Sequence, residues 1–263
     1  MKNPLIFCFM APAWLCMVAS VKAQWRIDSQ SKIQSLGHGA SFVEKSVNGP
    51  ENAKLSLVFF DESACELRIL TQAGPQKTAK PIAMILQATG AIAGVNGGYF
   101  DPQAFLPSAM EIESGRVTGL LETKHPFEGS LVVLDGKAQL LWSSELKEVR
   151  GITQMVQCSP ALVSGGMAVK GLGNATTPVF PRTFIATDSK GRWVMGVCRR
   201  LALSGLVSML ASHQVITEFR IDRALNLDGG PSSGLWCRDA SGTEHEDKEG
   251  TRVRNMVAVF PRQ

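Results

Sequence analysis

The sequence predicts an α+β fold, in which a single domain of mixed β-sheets carries a few packed helices. Two observations lead to this class: many short apolar segments end at turn residues, and the patterns indicate two or three helices. The chain has 263 residues, of which 44% are hydrophobic and 19% are charged. This composition supports a large hydrophobic core and excludes a disordered chain. We therefore expect residues 24–263 to form one domain.

In the first half, apolar runs at 55–60 and 67–70 flank the turn-like segment 61–63 and predict a hairpin. Residues 81–89 are apolar almost all round and predict a buried helix, which begins at a proline and ends at a glycine. A strand at 91–95 then leads into a glycine-rich segment. Runs at 131–134 and 138–142, joined by an Asp-Gly turn, predict a second hairpin.

The second half follows the same style. Apolar runs at 161–163, 183–186 and 193–198 predict strands, the last two joined by a turn at 188–191. Ser204 is placed to cap a helix over 205–212, in which Leu206, Met209 and Leu210 share one face. Further strands are expected at 224–227 and 253–260. The polar run 243–251 is expected to be a solvated loop.

Residues 1–23 have the order of features found in a secretory signal. A charged start at Lys2 precedes an apolar stretch over 5–18, and small residues at Val21 and Ala23 fit a cleavage site. We expect cleavage after Ala23 and a periplasmic or extracellular protein, although an uncleaved N-terminal anchor is the alternative. After this leader no apolar run reaches the roughly 18 residues that a membrane span needs.

The net charge bears on nucleic-acid binding, and the cysteine count bears on disulfide formation. The formal net charge of +4 includes two leader lysines, so the mature chain is nearly neutral and has no basic face for nucleic acid. Four cysteines follow the leader, namely Cys65, Cys158, Cys198 and Cys237. An even number in an exported chain predicts at least one disulfide, and the alternative is that all four are small buried apolar residues.

Two glycine-rich segments share one design, in which an apolar strand ends at a polar residue followed by paired glycines. The first is Asn-Gly-Gly-Tyr-Phe-Asp at 96–101, and the second is Asn-Leu-Asp-Gly-Gly-Pro-Ser-Ser at 226–233. Paired glycines allow close approach of a ligand, and successive N–H groups in such turns can bind an anion. Taken singly, each segment is equally consistent with a tight turn.

Together with Arg182-Thr183 and with Arg254 near the closing strand, the two segments resemble the phosphodiester glycosidase family. The resemblance covers residues 55–260 in the same order. It implies a hydrolase that cleaves the anomeric C–O bond of a sugar-1-phosphodiester. It also implies a sugar-phosphate or glycan as the binding partner.

The chemistry of that reaction assigns roles to individual residues. Asp228 is the candidate nucleophile or general base, and Asp101 is a second catalytic candidate. Arg182 is the candidate phosphate clamp, because a guanidinium pairs with phosphate through two parallel hydrogen bonds. The complete set of predicted substrate-binding residues is Asn96, Gly97, Gly98, Arg182, Thr183, Asn226, Gly229, Gly230, Ser232, Ser233 and Arg254.

Other chemistry has weaker support. Glu111 and Glu113 alternate with apolar residues, which predicts that both lie on the solvated face of a strand. The histidines have no metal-ligand spacing, so no cofactor is expected, and a divalent cation held by carboxylates stays open.

Two rival functions remain. Residues 230–234 also fit G-x-S-x-G, the serine hydrolase pattern, with only His245 downstream. The second rival is an envelope protein that binds a glycan or sugar-phosphate without turnover.

Overall fold

The computed structural model describes residues 24–123, 127–172 and 178–262, so the proposed leader at 1–23 lies outside the described residues. Strands make up 48% of the structure and helix 10%, with two α-helices. The predicted α+β class is therefore wrong, because the fold is mostly β. The two predicted helices account for the small helical content, and the many short apolar segments pack as neighbouring strands.

The strands and helices are numbered in chain order. The first ten strands are β1 (Arg26–Gln30), β2 (Gln34–Gly37), β3 (Ala40–Asn48), β4 (Ala53–Asp61), β5 (Cys65–Thr71), β6 (Ala93–Asn96), β7 (Phe100–Asp101), β8 (Leu106–Pro107), β9 (Glu111–Glu113) and β10 (Arg116–Thr118). The next are β11 (Gly129–Leu134), β12 (Lys137–Trp142), β13 (Ile152–Cys158), β14 (Ala161–Ser164), β15 (Met167–Ala168), β16 (Phe180–Thr187), β17 (Arg192–Leu201), β18 (Arg223–Asn226), β19 (Leu235–Arg238), β20 (Glu244–Asp247) and β21 (Asn255–Pro261). The helices are α1 (Ile82–Thr89) and α2 (Leu203–Ala211), with short 3₁₀ turns at Gln76–Thr78 and Gly230–Ser232.

The strands form three main sheets and one small one. The first sheet has nine strands in the order β1-β3-β4-β17-β16-β18-β14-β15, with β2 also paired to β3. The second sheet has the order β20-β19-β6-β21-β5, the third β10-β9-β13-β11-β12, and β7 pairs with β8. Every strand pair in the described residues is antiparallel, so the sheets are not mixed.

One hydrophobic core lies between the inner faces of the three main sheets. It joins Val58 and Val197 of the first sheet to Val95 of the second and to Leu131 and Val156 of the third. The two helices cover outer faces: α1 packs on the second sheet, and α2 packs on the first. Burial of apolar strand faces on both sides of the first and second sheets explains their nearly continuous apolar sequences.

Both predicted helices are present, but α1 is not the buried helix that its apolar sequence predicts, because of its residues only Ile82 and Leu86 are buried and Met84 is 51% exposed. Helix α2 begins at Leu203 with Ala202, not Ser204, at its N-cap position. Helix α1 follows Pro81 and ends at Gly90, which adopts a left-handed φ of 76° that glycine accommodates without strain. Helix α2 buries Leu206, Met209 and Leu210 together, as its sequence pattern predicts. Within the described ranges, neither helix, nor any other, is long and apolar enough to cross a membrane.

Two of the three predicted hairpins are confirmed and one is wrong. Strands β11 and β12 pair around an Asp-Gly turn, and β16 pairs with β17. Strands β4 and β5 follow each other in the chain, but β4 lies between β3 and β17 whereas β5 pairs with β21. Strands β4 and β5 are both mostly apolar, so their sequences do not indicate which strands they pair with. The expected loop at 243–251 also contains strand β20.

All four described cysteines are free and buried. The predicted disulfide is therefore absent from the structure, and the cysteines pack as small apolar residues. Burial raises the pKa of the Cys65 thiol to about 11 and that of the Cys158 thiol to about 12. Burial also raises the pKa of Cys198 and Cys237, so all four thiols are protonated and unreactive at neutral pH.

We expect protein lacking residues 1–23 to have no thiol that reacts rapidly with a thiol reagent while it is folded. After unfolding without reductant, four thiols should react, because the cysteines that remain are Cys65, Cys158, Cys198 and Cys237. Titration in buffer and in denaturant measures both numbers. A count of two or fewer in denaturant would show that a disulfide has formed.

Candidate active site

The two glycine-rich turns meet where the first and second sheets adjoin. The first turn follows β6 of the second sheet, and the second follows β18 of the first sheet. The Asn96 side-chain amide donates a hydrogen bond to the Asp228 carbonyl oxygen at 2.6 Å. In return the Asp228 N–H donates to the Gly97 carbonyl oxygen at 2.9 Å. The structure thus joins two segments that are 132 residues apart in the sequence.

Asn96 is 0% exposed, and its carboxamide bonds only to protein groups among the described contacts. Its Oδ1 accepts the Thr183 hydroxyl at 2.7 Å and the Gly234 N–H at 3.1 Å. Thr183 is likewise buried, and its carbonyl accepts the Leu227 N–H at 2.9 Å. Asn96 and Thr183 were both predicted to contact substrate. In the structure their side chains instead bind the two glycine-rich turns to β16.

Gly97 and Gly98 allow the backbone to approach its neighbours closely. The Gly98 N–H donates to Asn255 Oδ1 at 2.6 Å, and the Gly97 N–H donates to the Asn255 carbonyl at 2.9 Å. A Cβ atom at Gly97 would lie 2.1 Å from Asn255 Oδ1, and one at Gly98 would lie 2.6 Å from a methyl of Val156. These N–H groups are therefore used inside the protein, and they do not form the predicted anion-binding turn.

Asp228 lies at the partly exposed end of the second turn. Its Oδ1 accepts the Gly229 N–H at 2.8 Å, and its carboxylate also accepts the Ser232 hydroxyl. Burial nevertheless raises the pKa of the Asp228 carboxyl, and these two hydrogen bonds only partly oppose the rise. Gly230 has a left-handed φ of 59°, which lets the chain turn sharply after this carboxylate. The Asp228 carboxyl group is therefore partly exposed, and its pKa is raised.

Tyr99 is the single tyrosine of the chain and was not among the predicted site residues. Its hydroxyl donates to the Ser159 carbonyl at 2.6 Å and accepts the Asn226 amide at 3.0 Å. Burial raises its pKa, the charge of Asp228 raises it further, and the charge of Arg182 lowers it. The tyrosine ring therefore lies within electrostatic range of both charged candidates. Its position inside the first glycine-rich motif was the signal available in the sequence.

Two buried polar atoms of the second turn are left without a hydrogen-bond partner in the structure. They are the Asn226 Oδ1 and the Ser233 hydroxyl. The Asn226 amide nitrogen, by contrast, is bonded to the Ser159 carbonyl at 2.8 Å and to the Tyr99 hydroxyl. Both residues were predicted to bind substrate, and both are buried. Asn226 and Ser233 therefore lie inside the wall of the candidate site and not on its exposed surface.

Arg182 lies at the partly exposed start of β16. Its Nε donates to the Leu201 carbonyl at 3.2 Å, and one terminal nitrogen donates to the Pro178 carbonyl at 3.1 Å. Its guanidinium also lies 5.7 Å from the centre of the Phe180 ring. These partners orient the guanidinium without neutralising its charge. Burial lowers the pKa of Arg182, which still leaves it a cation at neutral pH.

Arg254 has a supporting position rather than an exposed one. Its guanidinium is buried and donates to Glu111 Oε1, at 3.1 Å from Nε and 2.6 Å from a terminal nitrogen, and to the Gln72 carbonyl. Glu111 Oε2 accepts the Asn255 amide at 2.8 Å. Arg254, Glu111 and Asn255 therefore form a continuous network that ends at the Gly98 N–H. The structure places Arg254 behind the first turn, away from a direct substrate contact.

The expectation for Glu111 and Glu113 is wrong. Glu111 is 1% exposed because its face of β9 packs against the second sheet, where Arg254 and Asn255 bind it. Glu113 is largely buried too and accepts the Thr71 N–H at 3.0 Å and its hydroxyl at 2.6 Å. Alternation along a strand identifies a shared face, but it does not show whether another sheet covers that face.

Asp101 is exposed, and it acts as a turn cap. Its Oδ1 accepts the N–H groups of Gln103 at 2.7 Å and Ala104 at 2.8 Å. This is the local arrangement that aspartate commonly adopts in turns. None of its described contacts involves Asp228, so the geometry does not support the pairing of Asp101 with Asp228 as two catalytic carboxyls.

The serine hydrolase alternative does not fit the structure. A nucleophile elbow needs a helix directly after the serine. Here Ser232 lies in a 3₁₀ turn, and strand β19 follows. His245 binds Asp239 at 3.2 Å and stacks on Phe42 at 4.7 Å, away from Ser232. Over the ranges 24–123, 127–172 and 178–262, no group of three or more metal-ligating side chains is found.

We expect Glu111→Gln to destabilise the protein by about 3–5 kcal/mol, because it leaves the buried Arg254 cation without its anionic partner. Denaturant unfolding measures the change in free energy. Glu113→Gln on the same strand is the matched control, since its partner Arg116 is exposed, and it should change stability by about 1 kcal/mol or less. Equal losses from the two variants would contradict a special role for the Glu111 network.

Comparisons with known proteins indicate the family of this chain. A family model described as phosphodiester glycosidase matches residues 89–260. The zebrafish N-acetylglucosamine-1-phosphodiester alpha-N-acetylglucosaminidase catalytic domain, auto-inhibited by its pro-peptide, is 13% identical with a TM-score of 0.60, over 93% of this chain and 85% of that chain. A hypothetical protein from Synechocystis is 15% identical with a TM-score of 0.57, over 85% of this chain and 62% of that chain.

At these identities, the two solved structures show a shared fold alone. No curated protein sequence matches the chain. The family model, in contrast, spans more than half of the chain and includes both glycine-rich turns, Tyr99 and Arg182. The protein therefore belongs to the phosphodiester glycosidase family, and this membership makes it a glycosidase that acts on phosphodiester-linked sugars.

Proposed function

We propose that the enzyme hydrolyses the anomeric C–O bond of a sugar-1-phosphodiester, with Asp228 and Arg182 acting at opposite ends of that bond. The observation that carries the proposal is the contact between the second turn and the start of β16, where the Leu227 N–H donates to the Thr183 carbonyl at 2.9 Å. Asp228 follows Leu227 and Arg182 precedes Thr183, so this bond brings the two charged residues to neighbouring positions. Asp228 and Arg182 are also two of the predicted polar side chains that stay partly exposed, whereas Asn96, Thr183 and Arg254 are buried.

Asp228 is best suited to act as a general base. A base works most efficiently when its pKa lies near the working pH, and burial moves the pKa of Asp228 in that direction. In the proposed step, a water oxygen attacks the anomeric carbon while the Asp228 carboxylate takes a proton from that water. The C–O bond to phosphate breaks, and its electron pair leaves with the bridging oxygen.

The departing group explains why one carboxyl is enough in this proposal. Most glycoside hydrolases use a second carboxyl to protonate the leaving oxygen. A phosphate monoester is a weak base, so neutralising its charge matters more than protonating it. Arg182 supplies that positive charge from a partly desolvated position. This division of labour is consistent with the exposed, turn-capping position of Asp101.

We also propose that the enzyme acts outside the cytoplasm, in the periplasm or the extracellular space. The support is the charged, apolar and small-residue order of residues 1–23. A sugar-phosphate or glycan substrate encountered there is the partner that the family assignment favours.

We expect Asp228→Asn to lower the turnover rate by about 10²- to 10⁴-fold, since it removes the base and keeps the shape. The same variant should unfold at a higher temperature than wild type at pH 7. The raised pKa means that the ionised carboxyl destabilises the folded state, and this cost appears as pH rises above the ordinary value of 3.8. Thermal unfolding as a function of pH measures it.

Asp101→Asn serves as the matched control and should leave turnover within a few-fold of wild type. The difference in melting temperature between Asp228→Asn and wild type should shrink towards zero near about pH 3, where the carboxyl is protonated in both states. Wild-type turnover by Asp228→Asn would assign this residue to the turn alone.

We expect hydrolysis in ¹⁸O-labelled water to place the label on the sugar and none on the phosphate. Arg182→Ala should lower kcat/KM for phosphodiesters by about 10²- to 10³-fold and affect aryl glycosides much less, because their leaving groups carry no phosphate charge. Mass spectrometry of the products follows the label. Arg116→Ala, at an exposed arginine, controls for the loss of a cation. Label in the phosphomonoester would refute attack at carbon.

A further inference from the structure

The side chain of Tyr99 is fixed at both ends. Its hydroxyl donates to the Ser159 carbonyl at 2.6 Å and accepts the Asn226 amide at 3.0 Å. At the other end, the Tyr99 backbone carbonyl accepts the Ser108 N–H at 2.9 Å. The plane of the ring is therefore set before any substrate binds. A side chain that is already ordered loses little conformational entropy when a ligand packs on it.

The hydroxyl of Tyr99 is not available for bond-making chemistry. Its proton is donated to the Ser159 carbonyl, and burial is the main cause of the raised pKa of the phenol. The group is therefore neutral at neutral pH, whereas a nucleophile or a general base must accept or share its electron pair readily. Any direct role of Tyr99 towards a substrate must come from the ring.

Part of that ring is open to solvent. Tyr99 as a whole is partly exposed, although its hydroxyl is desolvated and hydrogen-bonded. One side of the residue packs on the core between the three sheets, and the Phe127 ring meets it edge-on with 6.2 Å between the ring centres. The exposed part of the side chain is consequently the carbon surface of the ring.

The order of the strands places Tyr99 and Arg182 on opposite sides of Asp228. In the first sheet β18 lies between β16 and β14. Arg182 belongs to β16, Asp228 follows β18, and Ser159, which holds the Tyr99 hydroxyl, precedes β14. A molecule with its phosphate at Arg182 and its reacting carbon at Asp228 therefore extends towards Tyr99 with the part that lies away from the phosphate.

We propose that the exposed ring of Tyr99 is a platform on which the sugar of the phosphodiester packs with one of its apolar faces. This inference rests on the proposed function, which puts the anomeric carbon at Asp228 and the phosphate at Arg182. One face of many pyranose rings carries mainly C–H groups, and burying it against an aromatic ring removes apolar surface from water. Tyr99 then contacts the substrate and contributes to sugar specificity, and it takes no part in the bond changes.

The single tyrosine of the chain offers a probe that needs no substitution at Tyr99. Protein made with 3-fluorotyrosine has one fluorinated residue, so its ¹⁹F NMR spectrum reports on Tyr99 alone. In the Asp228→Asn background, we expect a methyl α-glycoside of glucose, galactose or mannose to cause a saturable shift of that resonance. Inorganic phosphate, which should bind at Arg182, should cause a smaller shift. No saturable shift with any of the three glycosides, or one at least as large with phosphate, would overturn the proposal.

Two variants that both lack the hydroxyl isolate the contribution of the ring. Tyr99→Phe and Tyr99→Leu lose the same two hydrogen bonds, but only Tyr99→Leu also removes the aromatic surface. The substrates are the methyl phosphodiesters of glucose-, galactose- and mannose-1-phosphate. For the diester that wild type hydrolyses best, Tyr99→Leu should have a KM roughly tenfold above that of Tyr99→Phe, with kcat values within about threefold of each other.

Phe100→Leu is the matched control, because it removes a partly exposed aromatic ring from the next residue. Phe100 packs against a different cluster, the one that includes Ile82 and Leu86 of α1, so this variant should leave KM unchanged. Thermal unfolding of all three variants confirms that they are folded at the assay temperature. A rise in KM as large as that of Tyr99→Leu would indicate a general loosening of this segment and would overturn the platform.

The outcomes separate this proposal from the proposed function. Equal KM values for Tyr99→Phe and Tyr99→Leu would leave Tyr99 with its hydrogen bonds alone, while hydrolysis by wild type keeps the proposed function. If wild type hydrolyses none of the three diesters, the proposed function fails. In that case, or if Tyr99→Leu does not fold, the fluorine titration still decides whether a sugar packs on the ring, because it uses protein with Tyr99 in place.

Discussion

The carboxamide of Asn96 lies where the first and second sheets meet, and it bonds to backbone or side-chain groups from three segments at once. Its amide holds the Asp228 carbonyl, and its oxygen holds the Thr183 hydroxyl and the Gly234 N–H. Asn96 is fully buried, so water cannot take over these hydrogen bonds if the carboxamide is lost. The Asp228 carbonyl, the Thr183 hydroxyl and the Gly234 N–H would then be left unpaired. The orientation of the Asp228 turn thus depends on the fully buried carboxamide of Asn96.

A second layer supports the first turn from behind. The Arg254–Glu111 ion pair is nearly excluded from solvent. Asn255 connects this pair to the first turn, because its amide donates to Glu111 and its Oδ1 accepts the Gly98 N–H. Buried charges are expensive unless they are paired and hydrogen-bonded, and this pair is both. Close approaches also explain why two consecutive glycines are needed at this position, because a Cβ atom at Gly97 would meet Asn255 and one at Gly98 would meet Val156. The fold therefore uses a buried ion pair to position backbone, whereas Asp228 and Arg182 are partly exposed.

Sequence reasoning predicted a site at the two glycine-rich turns, and the structure brings these turns together but buries several of the predicted substrate-binding residues. Motif residues such as Asn96, Thr183 and Arg254 are polar and lie next to a predicted pocket, so they look like ligand contacts. In the structure they are buried and bond to other protein groups, with Asn96 bonded to Thr183 and Arg254 bonded to Glu111. Tyr99 was missed because a tyrosine within a glycine-rich turn has no charge or metal-ligand spacing to mark it. Glu111 was predicted to be solvated because alternation along a strand shows which residues share a face. It does not show whether another sheet packs on that face.

The sequence by itself determined the local elements: both helices, most strands, the tight Asp-Gly hairpin and the two glycine-rich turns. These depend on side-chain pattern and on backbone preferences that act over a few residues. Only the tertiary structure decided the mostly β class, the separation of β4 and β5 into different sheets, the free cysteines and the contact between the two turns. The reason is that strand partners and burial depend on residues far apart in the chain, and a local pattern contains no information about which distant strand will cover it.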